Sequence, residues 1–196
     1  MTRLPIVGWK RLIVIALLGQ SVAALALAPF LMPPDYSWLS HTTSESAAQG
    51  LTGAWLARLG FLTFGLAVLW LSSAVDWGRW GAYLHSSFGL LMVAAAVFSH
   101  RPFVEGVAFD RVEDSIHSLT ATMMGFAFAG GMIAVSMQRR EKLSPHRILD
   151  IAAVTASVVI PLGMVTWSSY TGLLQRSLFL VAYVWYAVEA LSIGNR

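Results

Sequence analysis

Apolar residues run along this chain in six long stretches separated by short polar breaks, at about 11–32, 53–75, 78–99, 115–137, 148–167 and 171–193. Each is close to the ~20 residues that a helix needs to cross ~30 Å of hydrocarbon. Strands of a membrane barrel would alternate apolar and polar positions over roughly ten residues. Leu12 to Leu18 and Leu90 to Phe98 are instead continuously apolar, so each segment must satisfy its backbone internally, as a helix. The pattern predicts an all-α integral membrane bundle of six transmembrane helices, one domain over 1–196. No linker or low-complexity segment divides it, and the two halves show none of the repeat symmetry of transporters. Arg3, Lys10 and Arg11 before the first stretch imitate a secretory signal, but the apolar run is longer than a signal core and Pro29 to Pro34 offers no small-residue cleavage site. It reads as a retained helix.

Composition agrees: 57% of residues are apolar and 12% charged, with a mean hydropathy of +0.66, more than a water-facing surface tolerates. Charge then orients the bundle, because cytoplasmic loops hold an excess of Lys and Arg. With the N-terminus inside, Arg3, Lys10, Arg11, Arg79, Arg139, Arg140, Lys142, Arg147 and Arg196 are internal, nine of the 13 cations. Arg101 and Arg111 fall in an outer loop, and Arg58 and Arg176 lie just inside the outer ends of the second and sixth stretches. Both termini are therefore expected to be cytoplasmic, in the cytoplasmic (inner) membrane of a bacterium. The net charge of +3 reflects membrane orientation, and no basic patch with interleaved aromatics points to nucleic acid. The absence of cysteine excludes disulfides, thiolate metal sites, iron–sulfur clusters and covalently attached haem.

Two outer loops are long, about 33–52 and 100–114, and gather the chain's chemistry. They hold Asp35, Glu45, Glu105, Asp110, Glu113 and Asp114, six of the ten acids, while His41, His100 and His117 are three of the five histidines. If the fourth helix begins before Ser115, Asp110, Asp114 and His117 share one face, and His41 and Glu45 would share another were that loop helical. Imidazoles and carboxylates converging in this way can hold zinc through three ligands and a water. His41, His100, Asp114 and His117 are thus candidate metal ligands, with Glu45 as candidate general base. The competing reading has these residues capping helices and pairing with Arg101 and Arg111. Arg58 and Arg176 either snorkel to the outer interface or turn inward, to pair with Glu45 or Asp114 or to hold an anionic head group.

The remaining intramembrane polar groups read as structural. His85 lies ~10 Å deep and differs from His117 in height by roughly 15 Å, so the two cannot ligate one haem iron. It is expected to bond within the core, beside Ser86, Ser87 or Thr155. Glu189 should reach the inner interface or pair with Arg79. Glycines 60, 65, 81, 89, 125, 130 and 131 mark close helix packing, and Pro161 should kink the fifth helix. Trp9, Trp38, Trp55, Trp77, Trp80 and Trp167 form an interfacial belt, with Trp70 and Trp185 packed deeper.

Asp35-Tyr36-Ser37, the stretch His41-Thr42-Thr43-Ser44-Glu45-Ser46, the later Trp55-Leu56-Ala57-Arg58-Leu59-Gly60-Phe61 and the acid-rich approach to His117 together resemble the membrane proteins of bacteria and archaea catalogued as domain of unknown function 998. The resemblance spans most of the six helices and implies a fold, without an activity. Ser, Asp and His near one membrane face are also remotely similar to the membrane hydrolases that include alkaline ceramidases, which bind zinc and cleave lipid amides. No residue carries over from them.

Every singled-out residue has an adequate structural role, which ranks first a non-enzymatic subunit, scaffold or lipid-binding bundle, with membrane lipids and other membrane-protein subunits as partners. The alternative is a metal-assisted hydrolase acting on a lipid at the outer interface. Transport would require interrupted helices, of which Pro161 is the one hint.

Overall fold

The computed structural model describes residues 6–139 and 144–193; Arg3, Arg140, Lys142 and Arg196 of the charge count lie outside them. Among the described residues the chain is helical, without strands. Six long helices, α1 (Ile6–Leu27), α3 (Ala54–Ser72), α4 (Gly78–Val97), α5 (Arg111–Gln138), α6 (Pro145–Thr166) and α7 (Thr171–Leu191), fall on the six apolar stretches, with a one-turn helix α2 (Thr43–Ser46) in the first long loop. Five are long and apolar enough to cross a membrane: α1 with the 3-10 turn that prolongs it to Leu31, then α3, α4, α5 and α6. The sixth, α7, is as long but carries Gln175, Arg176 and Glu189.

The helices pack in a closed ring: α1 on α3, α3 on α4, α4 on α5, α5 on α6, α6 on α7, and α7 back on α1. The centre is filled by aromatic rings. Phe64 stacks on Tyr183 at 4.4 Å and meets Phe88 and Tyr186 edge-on, and below them Trp77, His85 and Trp185 pack against Tyr186. Such pairs add ~0.5–1.5 kcal/mol beyond the area they bury. Small residues bring the backbones together where expected: a Cβ on Gly65 would stand 2.6 Å from the Gly89 carbonyl oxygen. Gly125, with open space around it, and Gly130, where a Cβ would only touch the Leu84 side chain at 3.4 Å, are exceptions.

Large apolar side chains point outward on every long helix, among them Leu12, Leu66, Leu90, Phe126, Leu162 and Leu180. A water-soluble monomer does not expose apolar surface all round; lipid contact accounts for it. Trp77 departs from the expected belt: it is buried, 1% exposed, whereas Trp70, expected to be packed, is 43% exposed. A hydrogen bond from Trp77 Nε1 to Glu189 Oε2 (2.8 Å) holds Trp77 inside.

Candidate functional site

Polar side chains gather at two opposite ends of the ring. At one end the first long loop, the second loop (98–110) and the N-termini of α3, α5 and α7 form a cap. Thr42 N-caps α2 through a capping box: its hydroxyl accepts from the Glu45 amide (3.1 Å), and the Glu45 carboxylate accepts from the Thr42 amide (2.6 Å) and hydroxyl (2.9 Å). Each reciprocal bond satisfies a donor that the helix start would otherwise leave open. Glu45 is thus committed to the cap's own backbone. Arg58 does the same at the other end of α2, its Nε and Nη2 donating to the carbonyls of Ala47 (3.0 Å) and Ala48 (3.2 Å). It makes no ion pair with Glu45 or Asp114.

Arg176 rises from α7 into the first loop. Its Nη1 donates to the carbonyls of Trp38 (2.9 Å) and His41 (2.8 Å), its Nη2 donates to the Tyr36 hydroxyl, and the guanidinium lies 5.3 Å from the Trp38 ring. Burial pushes the Tyr36 phenol above its ordinary 10, against the opposing pull of Arg176. Gly172 makes the approach possible, since a Cβ there would collide with those two carbonyls. The Leu173 amide donates to Leu39 O (3.0 Å), and Gln175 Oε1 accepts from the Thr43 amide (2.7 Å) and hydroxyl (2.6 Å).

Gln49, which sequence reasoning passed over, ties the two loops together. Its Nε2 donates to Ser99 O (2.9 Å) and Asp110 O (3.1 Å), and its Oε1 accepts from the Asp110 amide (2.7 Å). Asp110 N-caps α5, which starts at Arg111, four residues before the predicted boundary. Acids in this first turn also meet the positive end of the helix dipole. Glu113 Oε1 accepts from the Ser99 amide (2.6 Å) and Asp114 Oδ1 from the Arg101 amide (2.8 Å).

The predicted ligands separate into two groups. His41 sits beside Tyr36 and Phe103, with ring centroids at 5.3 and 4.5 Å, and its Nδ1 accepts from the Ser37 amide (2.8 Å). Since α2 starts at Thr43, His41 is outside it and shares no helical face with Glu45. His100, Asp114 and His117 do come together: His100 Nδ1 is 2.7 Å from Asp114 Oδ1, and the His100 and His117 rings are 5.4 Å apart. Among the described residues no three His, Asp or Glu side chains yet surround one point as metal ligands.

At the opposite end, the end of α5, the starts of α4 and α6 and the end of α7 enclose an ion cluster. Asp150, with no exposed surface, accepts from Arg139 Nη1 through both oxygens (2.9 and 3.0 Å) and from Trp185 Nε1 (2.7 Å). Glu189, 1% exposed, accepts from Arg139 Nη2 (2.7 Å) and Trp77 Nε1 (2.8 Å). Arg139 is thus a cation partner of Glu189, whereas Arg79 lies over the Trp80 ring at 4.9 Å. His85 is a core residue as expected, but its Nδ1 bonds the Tyr186 hydroxyl (2.8 Å) instead of Ser86, Ser87 or Thr155, and its ring faces Gly131. Asp150 was missed, although an acid inside an apolar run is the usual signal of a buried partner.

Outward apolar helices and two polar rims define a multi-pass membrane protein. Over residues 14–192 the chain matches the family described as protein of unknown function (DUF998), and it belongs to that family. No curated protein and no solved structure matches it significantly.

Proposed function

We propose that the chain is a six-span protein of the bacterial inner membrane with both termini cytoplasmic, acting as a non-enzymatic subunit, scaffold or lipid-binding bundle. The cation distribution supports the orientation, with the Arg139 cluster at the inner rim and the capped loops at the outer. One observation carries the non-enzymatic reading: the outer side chains best equipped for chemistry are bonded to the cap itself. Glu45 closes the capping box, and Arg58 and Arg176 hold loop carbonyls. A general base must be free to reach a proton on its substrate, and an anion-binding guanidinium must have donors to spare. The cap is then a preformed surface for lipid or for another membrane subunit.

The runner-up, a metal-assisted lipid hydrolase, draws on the proximity of His100, Asp114 and His117. Reconstitution in vesicles of total bacterial lipid, with and without added Zn2+, followed by mass spectrometry of the lipids, separates the two. The expected result is unchanged lipid. Zinc-dependent cleavage that disappears in His117→Ala would overturn the non-enzymatic reading.

A further inference from the structure

Among the described residues four buried side-chain atoms lack a hydrogen-bond partner, and three of them, Ser99 Oγ, His100 Nδ1 and His117 Nε2, lie together in the outer cap. Unpaired buried polar atoms are costly and rare, so three in one place require a cause. His117 is 2% exposed. Its Nδ1 lies 2.8 Å from the Phe98 carbonyl oxygen; a carbonyl can only accept, so Nδ1 carries the proton and Nε2 is left with a bare lone pair. A histidine whose one ring nitrogen is fixed by a backbone carbonyl while the other is unsatisfied has the arrangement of a metal ligand.

The neighbours complete it. His100 Nδ1 stands 2.7 Å from Asp114 Oδ1, yet out of line for a hydrogen bond. Two donors of one tetrahedral ion approach each other to ~3 Å, and two imidazoles bound at ~2.1 Å per nitrogen place their ring centres ~5 Å apart. The spacing here is 5.4 Å. Asp114 and His117 are one turn apart on α5, and the Arg101 amide bond to Asp114 Oδ1 (2.8 Å) steadies the carboxylate. The side chains of His100 and Asp114 are 26% and 20% exposed, while the two nitrogen donors are themselves buried.

We propose that His100, Asp114 and His117 bind one divalent transition metal ion of the zinc class, fastening the second outer loop to the start of α5. Two imidazoles and one carboxylate form a set that suits zinc. His41 is not part of it, because its Nδ1 accepts from the Ser37 amide and its Nε2 therefore carries the proton, with no lone pair for a metal, and no turnover is implied. The role goes beyond the non-enzymatic reading and does not depend on it.

The test uses the full chain with a histidine-free affinity tag, in detergent, stripped with chelator and then titrated with Zn2+ and, separately, Co2+. Wild type should take up one ion per chain and raise its unfolding temperature, with a cobalt spectrum typical of four nitrogen and oxygen donors. His117→Ala and the more exposed His100→Ala should abolish uptake, Asp114→Asn should weaken it ~10-fold or more, and His41→Ala should bind as wild type. Wild-type protein that takes up no ion at 100-fold molar excess overturns the proposal, as does uptake that survives in folded His100→Ala.

Discussion

Arg139 is the side chain on which most of its rim depends, because its two terminal nitrogens bond the buried carboxylates of both Asp150 and Glu189. Taking one partner from a buried ion pair costs about 3–5 kcal/mol, since the remaining charge stays desolvated. Arg139→Ala should therefore lower the thermal unfolding temperature in detergent more than Arg79→Ala, whose guanidinium only covers Trp80. Equal shifts in the two variants would show that the cluster is not closed as described. In the outer cap, Thr42→Ala should cost about 1 kcal/mol, the usual worth of an N-cap, and should speed hydrogen exchange at the Glu45 amide that the hydroxyl protects. Tyr36 adds a dependence on pH: a phenol held above 10 in the folded protein contributes stability that is whole below 10 and is lost as pH rises through the elevated value. Tyr36→Phe should unfold without that alkaline loss over the same window.

Helices were legible in the sequence because the membrane enforces one length and one composition, and the six long helices end within a few residues of the apolar stretches. The start of α5 was not, because Arg111, Glu113 and Asp114 look like loop, while Asp110 caps the turn they form. The pairing of side chains was least legible. The sequence offers Arg58 and Arg176 snorkelling to the interface or an anionic partner, whereas both bond backbone carbonyls of a tight loop, a choice that depends on how the chain turns at Ala47 and His41. Asp150 and Arg139 meet across the α5–α6 connection, which no periodicity reports. Close approach between elements gives a further check. A methyl on Gly131 would stand 2.8 Å from the His85 ring, so Gly131→Ala should push α4 and α5 apart at about 1–3 kcal/mol, readable as a lower unfolding temperature, whereas Gly125→Ala should be neutral or mildly stabilising.

At the scale of the whole molecule the protein is a ring of helices closed by two polar plates of different construction. The plate around Arg139 is ionic and buried; the opposite one is a mesh of side chains capping turns and carbonyls, tied across its two loops by Gln49. Between them the aromatic column leaves lipid, not water, as the surrounding that the outward Leu, Ile and Val side chains meet. The absence of native cysteine lets single thiols test that arrangement directly. With Glu105→Cys in the outer loop and Ser73→Cys in the α3–α4 turn, intact cells are treated with a membrane-impermeant maleimide. Position 105 should be labelled at once and position 73 only after permeabilisation. Labelling of both from the same side, or of 73 alone in intact cells, would contradict the proposed arrangement of the bundle in its membrane.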